Sequence, residues 1–229
     1  MDANGLPKIS TTNKTLGKFT PDWTGGISNT FSYRSLSLSF LIDASVGGSI
    51  FSNTNKTGKY TGVLANTLSG RDAEHGGLWY YTAAMGNNVR LPESPSYSVS
   101  SDGLYYAQVN GQSTRVYQDG IMVEGVTESG SKNEEVVSAE KYYHRIYSIA
   151  EANVYDASYV KLREVALSYR LPRLWTQKLH LQEASVTLTG RNLWTIYKSV
   201  PNIDPESALT TGNAQGVEAI HCLQHVPLV

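Results

Sequence analysis

His221-Cys222 followed by His225 has the donor types and close spacing of a metal site. A structural zinc takes about four such ligands. No second pair accompanies these three, and Cys222 is the only cysteine in the chain. The reading that outweighs a metal centre is therefore an unstructured tail. Asp204-Pro205-Glu206 could offer carboxylates to a hard cation, but calcium takes about 6–8 oxygens, so a solvated turn fits better. Glu134-Glu135 has the chemistry of an acid/base pair, but Ser131-Lys132-Asn133 beside it reads as a solvent-facing loop or helix start. Arg71, Asp72, Glu74 and His75 read as a surface cluster. The sequence has no phosphate loop, dinucleotide fingerprint or nucleophile elbow. Nothing positions a catalytic set, so the expectation is a protein that is not an enzyme and has neither metal nor cofactor.

Aromatic doublets are the remaining candidates. Trp79-Tyr80-Tyr81 and Tyr105-Tyr106 fall in polar, glycine-rich surroundings that read as exposed loops. Such rings offer large apolar area at little rotamer cost, so they can stack on a sugar or meet a partner protein. They can equally pack one loop on another. Both readings stand at the sequence level.

The chain has 229 residues, 40% of them hydrophobic and 17% charged, with 20 Gly and 15 Tyr. A formal net charge of -1 excludes a strongly basic nucleic-acid binder, and a single Cys excludes an internal disulfide framework. No stretch approaches the roughly 20 apolar residues of a membrane-spanning helix, and Met1 to Pro7 lacks the basic and apolar regions of a signal peptide. Rich in Tyr, Ser, Thr and Gly, the composition favours β structure, either soluble or in a membrane barrel.

Period-two alternation supplies the elements. Ile27, Phe31 and Tyr33 share one face, with Ser28, Thr30, Ser32 and Arg34 on the other. After a turn near Arg34-Ser35, the residues Leu36, Leu38, Phe40 and Ile42 alternate with Ser37, Ser39 and Asp43. This predicts an antiparallel hairpin over about 23–50. Each run matches the roughly 9–11 residues of a tilted membrane strand. The pattern breaks at Gly47-Gly48, and about 52–155 reads as a long irregular region with one predicted helix over Val136–Ala152, striped by Val137, Tyr143, Ile146 and Tyr147. Such length is rare between elements of a compact soluble domain but usual in the outer loops of a barrel. Alternation resumes over about 156–193. Val165, Leu167 and Tyr169 form one strand face, and Arg173 to Gln182 is a tight basic connection with at most a helical turn. Val186 and Leu188 follow in a strand that Gly190-Arg191-Asn192 is expected to end, with an aromatic group at Trp194 and Tyr197. A loop and an aberrant tail occupy 194–229. The lipid-facing set would be Ile27, Phe31, Tyr33, Leu36, Leu38, Phe40, Ile42, Val165, Leu167, Tyr169, Val186 and Leu188.

These residues reach a family. Phe19-Thr20-Pro21-Asp22-Trp23-Thr24-Gly25-Gly26, the hairpin, and Gly47-Gly48-Ser49-Ile50-Phe51-Ser52 resemble late barrel strands of the SusC/RagA-type TonB-linked outer-membrane proteins of Bacteroidetes. The run from Asp156 to Tyr169 (DASYVKLREVALSY) is similar to a strand of that family, and Gly190-Arg191-Asn192-Leu193-Trp194-Thr195 and Pro201-Asn202-Ile203-Asp204-Pro205-Glu206 follow in the family's order. The resemblance covers about 17–52 and 155–218. It implies an all-β chain: an antiparallel transmembrane β-barrel segment, the C-terminal strands of a large TonB-dependent receptor barrel, with long extracellular loops. It implies an active importer in the outer membrane of a Gram-negative cell. Its partners would be membrane lipid, a SusD-like lipoprotein over the mouth, TonB through an N-terminal part outside this sequence, and oligosaccharide or peptide cargo.

Two departures qualify that expectation. The plug and most of the barrel are missing, so the chain reads as a fragment that does not work alone. The stretch Ala219 to Val229 contains Pro227 and lacks alternation, as a frame change would produce. Four strong strands and two weak ones fall short of the roughly 8 of a closed barrel. The alternative is a soluble β-sandwich binding module with a long aromatic recognition loop. In a sandwich the apolar strand faces seal against each other; in a barrel they meet lipid.

Overall fold

The computed structural model describes residues 1–92, 95–178, 180–208 and 216–218. In chain order the elements are β1 (Trp23–Tyr33), β2 (Leu36–Val46), β3 (Ser49–Ser52), α1 (Asn53–Thr61), β4 (Leu78–Thr82), β5 (Asn88–Arg90), β6 (Tyr97–Val99) and β7 (Tyr105–Val109). They continue as β8 (Gln112–Met122), β9 (Val136–Ser138), α2 (Ala139–Ser148), β10 (Val154–Asp156), β11 (Tyr159–Arg170), α3 (Arg173–Lys178), β12 (Ser185–Lys198) and β13 (Val217–Glu218). Two compact units result. One holds Met1–Thr15 and Asn53–Asn153; the other holds Leu16–Ser52 and the described part of Val154–Cys222.

The second unit is built on an antiparallel sheet in the order β1-β2-β11-β12. Residues directly opposite in a ladder share a face. Phe31 lies opposite Leu38, Leu38 opposite Leu167, and Leu167 opposite Leu188, so one apolar row crosses all four strands. A second row is Tyr33, Leu36, Tyr169 and Val186. The other face carries Thr30, Ser39, Ala166 and Thr189, and beside it Ser32, Ser37, Ser168 and Thr187. Hydroxyls pair there, Ser32 with Ser37 and Ser168 with Thr187, each at 2.9 Å. The expected lipid-facing residues thus do share a face. That face is open: exposure is 60% at Phe31, 40% at Leu38, 41% at Leu167 and 74% at Leu188.

The four-stranded sheet is open, with β1 and β12 at its edges among the described residues, in line with a strand count too small to close a barrel. Two expectations need correction. β12 does not end at Gly190-Arg191-Asn192 but runs through them to Lys198, because Asn192 takes a left-handed φ of 50° at a register shift and lets the ladder resume. The region 52–155 is not irregular. Its short strands form a sheet in the order β5-β4-β8-β7-β6, with β9 also on β8, so the protein is mostly rather than wholly β.

The predicted helix is shorter than its apolar stripe. Val136–Ser138 is a strand, and Ser138 caps α2 by accepting from the Lys141 amide at 3.3 Å. Tyr60 of α1 stacks on His144 of α2 with ring centres 4.0 Å apart. Trp79, Ala107 and Val116 form the buried core of this unit. In the second unit the core is Ile50, Val200, Ile203 and Ala208, and it lies under the segment that follows β12.

Candidate functional site

The polar face of the four-stranded sheet carries a charge cluster, and a bulge in β11 arranges it. Leu162 pairs with Ile42 and Trp194, whereas Glu164 pairs with Leu41 and Arg191. Arg163 is therefore the extra residue against β2, and against β12 it stands opposite two residues, Asn192 and Leu193; irregularities of this kind re-aim a side chain. Arg163 Nε donates to Asp43 Oδ2 at 2.8 Å, and Nη1 donates to Glu206 Oε2 at 2.7 Å and Asn192 Oδ1 at 3.2 Å. Arg163 Nη2 also reaches Glu206 Oε1, completing a fork. Beside it, Lys161 Nζ donates to Asp204 at 2.6 and 2.8 Å and to Glu206 Oε2 at 2.7 Å. Only 5% of the Lys161 side chain is exposed. The Tyr159 hydroxyl donates to Glu206 Oε1 at 3.0 Å.

Hydrogen bonds from Arg163 hold the Glu206 carboxyl well below its ordinary range, at about 2, against its partial burial; Lys161 and Tyr159 add to the effect. A carboxyl held so low is no proton donor near neutral pH. The cluster is a latch that ties the turn at 204–206 to the sheet. This corrects the reading of Asp204-Pro205-Glu206 as a solvated turn or cation site: its carboxylates are taken by two cations of β11. No local signal points to that pairing, because the partners lie more than 40 residues apart, from Lys161 or Arg163 to Glu206.

The five aromatics lie on β4 and β7 rather than in irregular loops. Trp79 is buried, stacked on Tyr97 at 4.8 Å and edge-on to Tyr105 at 5.5 Å. Tyr80 is buried too; it stacks on Tyr117 at 5.2 Å and donates to Asp119 Oδ1 at 3.2 Å. Burial, with the nearby Asp119, pushes the Tyr80 hydroxyl above its ordinary range, and burial raises the Asp119 carboxyl. Tyr81, Tyr105 and Tyr106 are half-buried. None of the five lines a cleft of about 730 Å³ in this unit, which is walled by Tyr142, Tyr143 and Ile146 of α2 and by Leu78, Ile121 and Met122. Of these, Tyr143 and Ile146 fall on the stripe that predicts the helix.

The other candidates disperse. Glu134 is exposed and Glu135 half-buried. His75 Nδ1 lies 2.7 Å from Asp72, and Arg71 donates to the Gly62 carbonyl at 2.6 Å. His221, Cys222 and His225 lie outside the described residues. Among the described residues no group of three or more His, Cys, Asp or Glu is arranged to hold a metal ion.

An open apolar sheet face backed by a hydroxylic, charge-latched one defines a mostly-β protein whose strands do not bury their own apolar side. Comparison with known proteins gives the particulars. No protein-family profile matches the chain. The chain is distantly similar to TonB-dependent receptor P3 of Formosa agariphila, 25% identical over 215 residues that make up 93% of this chain and 16% of that receptor. Among solved structures it is similar to the RagAB peptide importer. In the closed-closed state the TM-score is 0.41, with 18% identity over 92% of this chain and 17% of that one. In the open-open state the TM-score is 0.37, with 19% identity over 82% and 15%. The chain thus spans about a sixth of these proteins. By their names these relatives are a receptor and an importer.

Proposed function

We propose that this chain is part of the wall of a TonB-linked outer-membrane importer, its C-terminal barrel portion, with β1, β2, β11 and β12 in the bilayer. The observation that carries the reading is the apolar row Phe31-Leu38-Leu167-Leu188, which crosses the whole sheet and stays exposed. Leaving such a row in water is unfavourable by roughly 25 cal/mol per Å² of apolar area, and acyl chains remove that cost. Connection lengths supply a direction. β1 and β2 are joined by two residues at one end of the sheet, while the other end of β2 leads through β3 into the 53–153 unit. Outer-membrane barrels have short periplasmic turns and long extracellular loops, so the 53–153 unit belongs outside the cell. There its half-buried Tyr81, Tyr105 and Tyr106 would be the aromatics with surface to offer cargo or a SusD-like lipoprotein. The cargo class is an oligosaccharide or peptide. TonB would act through a part outside this sequence.

Partition of the expressed chain between buffer and a nonionic detergent tests the wall. The chain is expected in the detergent phase, and the variant L38S/L167S/L188S is expected to leave it. A parent chain that is soluble and monomeric in buffer and melts cooperatively would overturn the reading in favour of the sandwich.

A further inference from the structure

The connection between β11 and β12 is fixed, yet it shows apolar side chains to solvent. Leu171 N donates to Ala184 O at 2.9 Å, Trp175 N to Pro172 O at 2.9 Å and Leu181 N to Thr176 O at 2.9 Å, and Thr176 is buried beneath. On this rigid base Leu174 is 74% and Trp175 60% exposed. The same end of the sheet carries cations. Arg173 and Lys178 lie on α3, Arg170 ends β11, and Arg34 sits in the neighbouring turn, where the Arg170 amide donates to Ser35 O at 2.8 Å. From Leu171 to Ala184 the single acid is Glu183, which pairs with Arg170 at 2.8 Å. The connection leaves β11 and enters β12 at the end of the sheet that carries the last apolar row, Tyr33-Leu36-Tyr169-Val186.

We propose that this end of the sheet, where the two-residue β1–β2 turn and the 171–184 connection lie, is an anchor for the net-anionic headgroups of phospholipids. Trp175 and Leu174 enter the boundary between headgroup and acyl chain, and Arg34, Arg170, Arg173 and Lys178 meet the phosphates. The proposal rests on the outer-membrane reading and deepens it. Two features favour lipid over a protein partner: the patch sits at the end of the sheet next to its last apolar row, and it combines one exposed Trp with several cations of long apolar stem, the composition of a bilayer interface. Near an anionic surface each cation strengthens binding about fivefold.

Flotation of the purified full chain with vesicles tests the anchor, comparing pure phosphatidylcholine with an equal mixture of phosphatidylcholine and phosphatidylglycerol. The parent should prefer the anionic vesicles. R173Q/K178Q should lose about 25-fold in affinity for them and keep its binding to phosphatidylcholine; R173E/K178E should lose more. If the parent shows no preference, or the double variants keep it, the anchor is wrong while the wall reading stands. If the parent floats with neither vesicle, both fall. Brominated phosphatidylcholine gives a second readout that does not depend on affinity: it should quench the parent more than W175F, and equal quenching would place Trp175 away from lipid and overturn the anchor.

Discussion

Glu206 occupies a short 3-10 turn, yet its carboxyl ends among Arg163, Lys161 and Tyr159, and their hydrogen bonds hold its pKa near 2. The unfolded chain offers no such partners, so there the carboxyl titrates near its ordinary 4.5. A group whose folded pKa is depressed stabilises fully above the unfolded value and loses that contribution as pH falls through the folded one. The latch should therefore weaken between about pH 4.5 and 2. Chemical unfolding of the chain in micelles should show a falling midpoint across that window, with a shallower fall in E206Q. An equal slope in both would mean that Glu206 is not linked to stability. Lys161 is the more costly residue to lose. Its head is almost fully enclosed by Asp204 and Glu206, and removing one partner of a buried pair costs about 3–5 kcal/mol. K161M should fall at the lower end, because Asp204 is half exposed and can rehydrate; equilibrium unfolding measures it. None of this was legible in the sequence, where Lys161 and Arg163 stand only as members of the run from Asp156 to Tyr169. The bulge that turns Arg163 toward Asp43 has no residue signature, and the acids arrive from a distant turn.

At the scale of elements, legibility followed period. β1, β2, β11 and the first half of β12 alternate over many residues, so both faces could be assigned before the register was known. α1 could not be read: Asn53-Thr54-Asn55-Lys56-Thr57-Gly58 is a poor helical run. It is held instead by Tyr60 against His144 and Tyr147, and by Lys59 Nζ donating to Ala152 O at 2.7 Å and Asn153 Oδ1 at 3.2 Å. The sheet of the 53–153 unit was missed because β5, β6 and β9 have 3 residues each and β4 and β7 have 5, too few to show a period, while the 11 residues of β8 do not alternate. Its aromatics were conspicuous as residues but misplaced as elements. Trp79 joins β4 to Tyr97 of β6 and Tyr105 of β7, so its truncation opens the core. W79A should destabilise this unit by about 3–5 kcal/mol, read by thermal or denaturant unfolding. Y106A, at a half-buried position, should cost far less. If W79A were neutral to stability and lowered binding of a partner or glycan, the contact role would replace the packing role.

Across the whole molecule, the unsatisfied part of the fold is its boundary. Among the described residues two kinds of surface are open in the four-stranded sheet, the apolar face and the edges of β1 and β12, and they make different demands. A face needs apolar contact, which micelles supply. An edge needs hydrogen-bonding partners, which neither detergent nor lipid tails supply, so an unpaired strand edge recruits another strand. The chain in micelles should therefore self-associate through its edges even when its face is covered. Thr30 and Thr189 separate the two demands. They lie in one row on the polar face, one on each edge strand, and both are exposed. A lysine at each position places charge where a second copy would align, the device by which natural sheets guard their edges, and leaves Phe31, Leu38, Leu167 and Leu188 unchanged. T30K/T189K should shift the chain from a mixture of oligomers toward monomer by analytical ultracentrifugation in density-matched detergent, with its detergent partition unaltered. An unchanged oligomer distribution would put self-association on the apolar face instead, and that face would then be a protein contact rather than a lipid one.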